Sequence, residues 1–284
     1  MEIKKVCVVG GGRMGRQIAM CAAIYGFEAK VYDLMPAVLE DVTTWANEYL
    51  AGRIAKGRMT EEQVNATKAR FAVVEQLEEA VKGVDCVIEC IIEVEEAKRE
   101  IIKKLDGIID KNTIIATNSS FMISSKFADC MEDPSRLCNM HFYNPALVMK
   151  FVEVVQGPHT SEETAKAAYE FCKAIGKMPI WQKKEIPGFA GNYLHAGLAE
   201  RARYLVENGY CSVEDVDIAM EYGFNHKMGP FRMNDLTGID LTYTMLKARY
   251  EQTGKKPDMY DVYEEMVKQG RLGRKTGHGF YDYE

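Results

Sequence analysis

Across its 284 residues the sequence has no apolar run long enough to span a membrane, and no basic stretch leading into a signal-type apolar core. We therefore expect no membrane partner, no secretory leader and a cytoplasmic location. None of the eight cysteines pairs into Cys-x-x-Cys, and most sit in apolar runs, so they read as small buried hydrophobes in a reducing compartment. The five histidines form no His-Glu-x-x-His or comparable ligand spacing, and no metal is expected. Positive charge is not in excess. The net charge of −6 argues against a nucleic-acid partner while leaving room for a local basic patch that meets a small anion. Internal repeats and low-complexity segments are absent as well.

What is present is ordinary globular composition, 47% hydrophobic, in a chain long for one core. One large domain and a smaller one is the natural expectation. Near the start, the apolar run at 6–9 meets Gly10-Gly-Gly12-Arg13-Met14-Gly15, then a helical run to residue 25, then a second strand-like run that ends at Asp33. Strand, G-x-G-x-x-G, helix, strand and acid come in the order a dinucleotide-binding βαβ unit requires. Gly10 permits the tight turn, Gly12 the approach of a pyrophosphate to the helix N-terminus, and Gly15 close packing of helix on strand. Asp33 would bind the ribose diol and repel a 2′-phosphate. Leu34 and Met35 follow it rather than an arginine, so NAD is favoured over NADP.

Residues 36–71 read as two polar helices inserted before the third strand, broken near Gly57, with a capping box at Thr60 and Gln63. Arg53, Lys56 and Arg58 cluster at the junction, as an ordinary solvated helix end or as a phosphate site. Strand-like runs at 71–74, 84–92, 113–118 and 137–142 alternate with helical ones at 95–109 and 124–131, which predicts a Rossmann-type, doubly wound α/β sheet. Ligands of such sheets lie beyond the carboxyl ends of the strands. Glu93 and Lys98 follow one strand, Asn118, Ser119 and Ser120 another, and His141 ends a third.

From His141 the chain reads His-Phe-Tyr-Asn144-Pro, and a second strand-like run at 151–155 carries Glu153 in its middle. A turn of that length could fold Glu153 back onto His141, giving a general acid–base pair or a polar pair that knits a core. Convergence of the three residue sets on one sheet edge favours the first. A helix at 161–176 and a strand at 178–182 follow. Lys183-Lys-Glu-Ile-Pro187-Gly188 marks the domain boundary, giving 1–186 as the Rossmann-like domain and 187–284 as a helical second domain. Helices are expected at 189–208, after Ser212, at 236–252 and at 258–269. The glycine-rich tail should pack back as a turn and edge.

With these pieces the sequence resembles the 3-hydroxyacyl-CoA dehydrogenases over essentially its whole length, in particular the short bacterial 3-hydroxybutyryl-CoA dehydrogenases. The resemblance rests on the glycine motif, Glu-x3-Glu-x4-Lys at 89–98 and Asn-Ser-Ser at 118–120. It rests further on His-Phe-Tyr-Asn-Pro-x3-Met-Lys-x-Val-Glu at 141–153, Pro-Gly-Phe-x2-Asn at 187–192, Met-Gly-Pro-Phe at 228–231, and the tail at 272–283. It implies an NAD-dependent enzyme in which His141 is the general acid–base, Glu153 orients it, Ser119 hydrogen-bonds the reacting oxygen, and Asn192 helps hold the substrate. By the same resemblance Gly10, Gly12, Arg13, Met14, Gly15, Asp33, Glu93, Lys98 and Asn118 contact the cofactor. Ser119, Asn144, Asn192, Arg53 and Lys56 contact an acyl-CoA substrate, and a homodimer forms through the C-terminal domain. The sequence departs from the family at Val94 (usually Asn), Tyr143 (usually Phe) and Tyr193 (usually Arg), and the choice between Ser119 and Ser120 stays open. Two other readings stand beside the first: a dehydrogenase of a free hydroxy or sugar acid, and a non-catalytic NAD-binding relative.

Overall fold

The computed structural model describes residues 2–283, which fall into two compact units, Met1–Ala190 and Gly191–Glu284. The first unit starts with β1 (Lys5–Val9), α1 (Arg13–Ile24) and β2 (Glu28–Tyr32). The inserted pair, α2 (Pro36–Ala55) and α3 (Glu61–Arg70), comes next. Gly57 breaks it at a φ of 62°, and the Thr60 hydroxyl and Gln63 side chain exchange their backbone hydrogen bonds as a capping box. Then follow β3 (Phe71–Val73), α4 (Leu77–Val81), β4 (Cys86–Glu89), α5 (Glu95–Asp106), β5 (Ile114–Thr117), β6 (Leu137–Phe142), β7 (Phe151–Val155), α6 (Glu162–Ala174) and β8 (Met178–Gln182). The short α4 was not foreseen, and the expected helix at 124–131 is a 3-10 helix, Ser124–Cys130.

Among the described residues the sheet has eight strands, in the order β3-β2-β1-β4-β5-β6-β7-β8. β3 to β6 pair in parallel throughout. Chain order departs from spatial order between β1 and β4, the switch point at whose carboxyl edge a dinucleotide binds in such sheets. Helices cover both faces, so the inner strands are apolar without alternation: every residue of β4, β5 and β6 is buried. One face packs α1 and α6 residues such as Ile18, Ala22, Phe171 and Cys172. The other packs Leu77, Ile102, Leu105 and Phe127. β7 turns back, antiparallel to β6, and β8 runs parallel to β7; the reversal sets residues of β6 and β7 opposite each other.

The second unit is helical: α7 (Phe189–Glu207, entered from the first unit), α8 (Val213–Ile218), α9 (Pro230–Thr237), α10 (Ile239–Thr253) and α11 (Tyr260–Lys268). The single helix expected at 236–252 is broken by Gly238, whose φ of 113° no helix accommodates. The turn frees a separate α9 that opens on Pro230, the residue suited to a first helical position. Asp217, buried on α8, accepts the N–H groups of Phe231 and Arg232 at that helix start. The tail packs back around another buried carboxylate. Asp235 accepts from the N–H groups of Phe280 and Tyr281 and from the Tyr283 hydroxyl, at 2.9 to 3.0 Å. A Cβ on Gly279 would stand 2.1 Å from Asp235 Oδ1, which explains that glycine. Among the described residues no helix is long and apolar enough to cross a membrane.

Candidate active site

The glycine loop between β1 and α1 is shaped by close approaches. Gly10, at a φ of 108°, would carry a Cβ 2.6 Å from the Cys90 carbonyl carbon. On Gly15 a Cβ would lie 1.8 Å from the Gly10 carbonyl oxygen. Gly12, by contrast, faces open space, and as the residue before α1 it leaves that helix without a side-chain cap. Free N–H groups and open space at a helix start fit a pyrophosphate. Arg13 is exposed beside them and Met14 packs on the sheet. Asp33 accepts from Gly11 N at 2.7 Å and from Met35 N at 2.9 Å, so it braces the loop while each oxygen keeps a lone pair for a ribose hydroxyl. Replacing Gly15 with alanine should therefore push the loop off its position. We expect NADH affinity to fall by at least about tenfold, measurable as lost enhancement of NADH fluorescence in a titration.

Beyond β4 and β5 lies an ionic network that runs from the buried Glu89 and Lys98 to the exposed Glu93. Lys98, 1% exposed on α5, places its ammonium 2.7 Å from Glu89 Oε1 and 3.2 Å from Glu93 Oε2. Glu89 also accepts from Ile91 N at 2.8 Å and from the Thr117 hydroxyl at 2.6 Å. The Ser119 hydroxyl donates to Glu93, whose Oε1 also accepts from Ser120 N at 3.1 Å. Burial works against ionisation of Glu93. The Ser119 hydroxyl, the Lys98 charge and the Ser120 N–H outweigh it, and the carboxyl titrates below its usual range. Asn118 is tied differently, its Oδ1 accepting from Phe142 N at 2.9 Å.

At the end of β6, His141 and Glu153 are direct cross-strand partners. Nδ1 and Oε2 are 2.8 Å apart, and both side chains are buried. A carboxylate only accepts, so Nδ1 carries the proton and the lone pair of neutral imidazole falls on Nε2. Two aromatic rings flank the imidazole, Tyr143 at 4.7 Å and Phe189 at 5.5 Å between centroids. The Tyr143 hydroxyl donates to the same Glu153 oxygen at 3.1 Å.

Arg53 stands over the Tyr49 ring at 6.0 Å, near the end of α2. Tyr49 stacks on Trp45, over which Arg16 lies at 5.0 Å. Lys56 and Asn144 are exposed, and Asn192 belongs to α7 and the second unit. Lys98, expected beside the nicotinamide, spends its charge on two carboxylates because a buried ammonium needs them. Ser119, expected on the reacting oxygen, gives its hydrogen to Glu93 here. Glu89 entered the sequence reading only as the start of the 89–98 motif, and neither it nor Thr117 was given a role. An acid inside the apolar run 84–92 with a lysine nine residues on was the available signal, since such an acid has to be paired.

Residues 5–186 match the family described as 3-hydroxyacyl-CoA dehydrogenase, NAD binding domain. Residues 188–283 match the family described as 3-hydroxyacyl-CoA dehydrogenase, C-terminal domain. Among individual relatives, a probable 3-hydroxybutyryl-CoA dehydrogenase of Bacillus subtilis is 38% identical over 285 residues, covering 100% of this chain and 99% of its own. The crystal structure of the (S)-3-hydroxybutyryl-CoA dehydrogenase PaaH1 from Ralstonia eutropha superposes with a TM-score of 0.89 at 33% identity, over 100% of both chains. A diketoreductase studied with dicarbonyl compounds superposes with a TM-score of 0.88 at 29% identity, again over 100% of both.

Proposed function

This chain belongs to the 3-hydroxyacyl-CoA dehydrogenase family of NAD-dependent oxidoreductases, and from that premise we propose that it interconverts (S)-3-hydroxybutyryl-CoA and acetoacetyl-CoA. The observation that carries the proposal is the buried His141–Glu153 pair at 2.8 Å, held by strand register rather than by a loop. Neutral His141 takes the C3 hydroxyl proton on Nε2 during oxidation, and imidazolium returns it to the ketone oxygen during reduction. Glu153 fixes the tautomer and stabilises the imidazolium. NAD supplies the hydride acceptor when bound, seated by Gly10, Gly12 and Gly15, with Arg13 and Met14 beside them, and selected over NADP by Asp33. Ser119 adds a second donor to the reacting oxygen, and Glu93, charged and anchored by Lys98, keeps that hydroxyl aimed and yields it to the substrate. Asn118 steadies the end of β6 through Phe142 N.

Asn192, at the start of α7, is assigned to holding the substrate, with Asn144 beside the histidine strand and Arg53 and Lys56 toward the CoA phosphates. We read 1–186 as the NAD-binding domain and 187–284 as the domain of dimerisation. The exposed Tyr193 (61%), Leu194 (72%), Leu241 and Met245 of that helical unit support a homodimer. Likeness to a diketoreductase supports one competing reading, a reductase of free dicarbonyl or hydroxy acids.

NADH oxidation by the purified protein, offered acetoacetyl-CoA and free acetoacetate in parallel, separates the two. We expect rapid turnover of the thioester and little of the acid. Comparable turnover of the free acid would overturn the CoA reading.

A further inference from the structure

Glu153 Oε2 takes two donors, Nδ1 of His141 at 2.8 Å and the Tyr143 hydroxyl at 3.1 Å. We propose that Tyr143 is a positioning residue that sets the proton affinity of His141 by sharing the oxygen that charges it. The inference rests on the acid–base reading of His141 and goes beyond it, since it assigns the working pH of the enzyme to a third side chain.

The geometry gives the tyrosine little freedom. Its ring is wedged between the imidazole, 4.7 Å away, and Phe151, 5.1 Å away. Both aromatic contacts hold the hydroxyl over Glu153, and the phenol is half-buried. Burial, and then the charge of Glu153, push its own ionisation well above the ordinary range, so it stays a donor at every pH at which the enzyme would work. The groups facing the pair come from several elements. β8 sets Ile180 opposite Glu153, α7 contributes the Phe189 ring, and Asn118 meets the backbone N–H of Phe142. Tyr143 is a titratable group among them.

The direction of the effect follows from electrostatics. A hydrogen bond from the phenol draws charge off the carboxylate, and a less basic carboxylate stabilises the imidazolium less. Tyr143 thus weakens the hold of Glu153 on an imidazolium and favours the neutral base that alcohol oxidation needs. Phenylalanine at 143 retains the ring and both aromatic contacts while removing the donor.

The test is Tyr143→Phe, compared with the wild type and with His141→Gln. In the wild type and in Tyr143→Phe, the inflection of kcat/KM for 3-hydroxybutyryl-CoA oxidation is read against pH at saturating NAD, and the His141 imidazole is titrated by proton NMR. An upward displacement of both by about half a unit, with about a threefold lower rate on the acid side and an unchanged Tm, is the expected result. An inflection that stays in place or moves down, or a rate lowered equally at all pH, would overturn the proposal while an inactive His141→Gln left the acid–base reading standing. Full activity in His141→Gln would overturn both.

Discussion

Converting His141 to alanine is expected to lower kcat for acetoacetyl-CoA reduction by roughly 10²–10⁴-fold, the usual cost of losing a general acid. The loss should fall on kcat and on kcat/KM together, because the interaction matters as the proton moves and not while the substrate binds. NADH affinity should stay within about twofold of the wild type, since the glycine loop and Asp33 belong to other strands. The fold should survive too. His141 has its whole side chain inside a cross-strand pair, yet its neighbour Glu153 keeps the Tyr143 hydroxyl as a donor. Steady-state kinetics beside a thermal melt distinguish a chemical defect from an unfolded protein.

Removing Glu89 should produce the largest loss of stability from a single side chain near the site. Its two oxygens take the Lys98 ammonium, the Ile91 N–H and the Thr117 hydroxyl. In Glu89→Leu a lysine that is 1% exposed keeps Glu93 as its carboxylate partner, at 3.2 Å. Breaking a buried pair from one side costs up to about 3–5 kcal/mol, and the more distant, partly exposed Glu93 offsets only part of it. For a domain of this size that corresponds to a fall in Tm of roughly 6–20 °C. Replacing the pair together, Glu89→Leu with Lys98→Met, should recover most of the loss, since well-packed apolar substitutes for a buried ion pair are often neutral. Turnover should not recover with it, because Glu93 would lose the cation that keeps it charged and holds Ser119 in place. A melt that recovers while kcat does not would separate the two roles of Lys98.

Much of the first unit could be read directly because its signals are local and repeat with the right period. β6, β7 and β8 begin and end where their apolar runs do, and the pairing of His141 with Glu153 follows from two strands and one turn. The second unit was harder. Gly238 lies inside a helical pattern, and the position of one glycine does not announce a positive φ, so the expected helix was begun two residues before it and α9 was missed. The tail was expected to pack back as a turn and edge, and it does, but what anchors it was not legible. What it supplies is a set of backbone and tyrosine donors for Asp235, a long-range contact that no window of sequence contains. Lys275 instead pairs with Asp240 at 2.6 Å, and Arg274 lies over the Tyr283 ring. In the site itself, the residue types were legible and their hydrogen-bond directions were not. Glu93 could be placed at the strand end, but the sequence holds no sign that it would claim the Ser119 hydroxyl.

The most direct test of the account is the pH dependence of kcat/KM for 3-hydroxybutyryl-CoA oxidation at saturating NAD, in the wild type and in His141→Gln. This ratio reports groups that titrate before the substrate binds. If His141 is the base, the wild-type rate climbs tenfold per pH unit on the acid side and levels off above one inflection. That inflection should vanish with the imidazole, leaving a slow residual rate. An inflection that persists at the same pH in His141→Gln would place the base elsewhere and contradict the account.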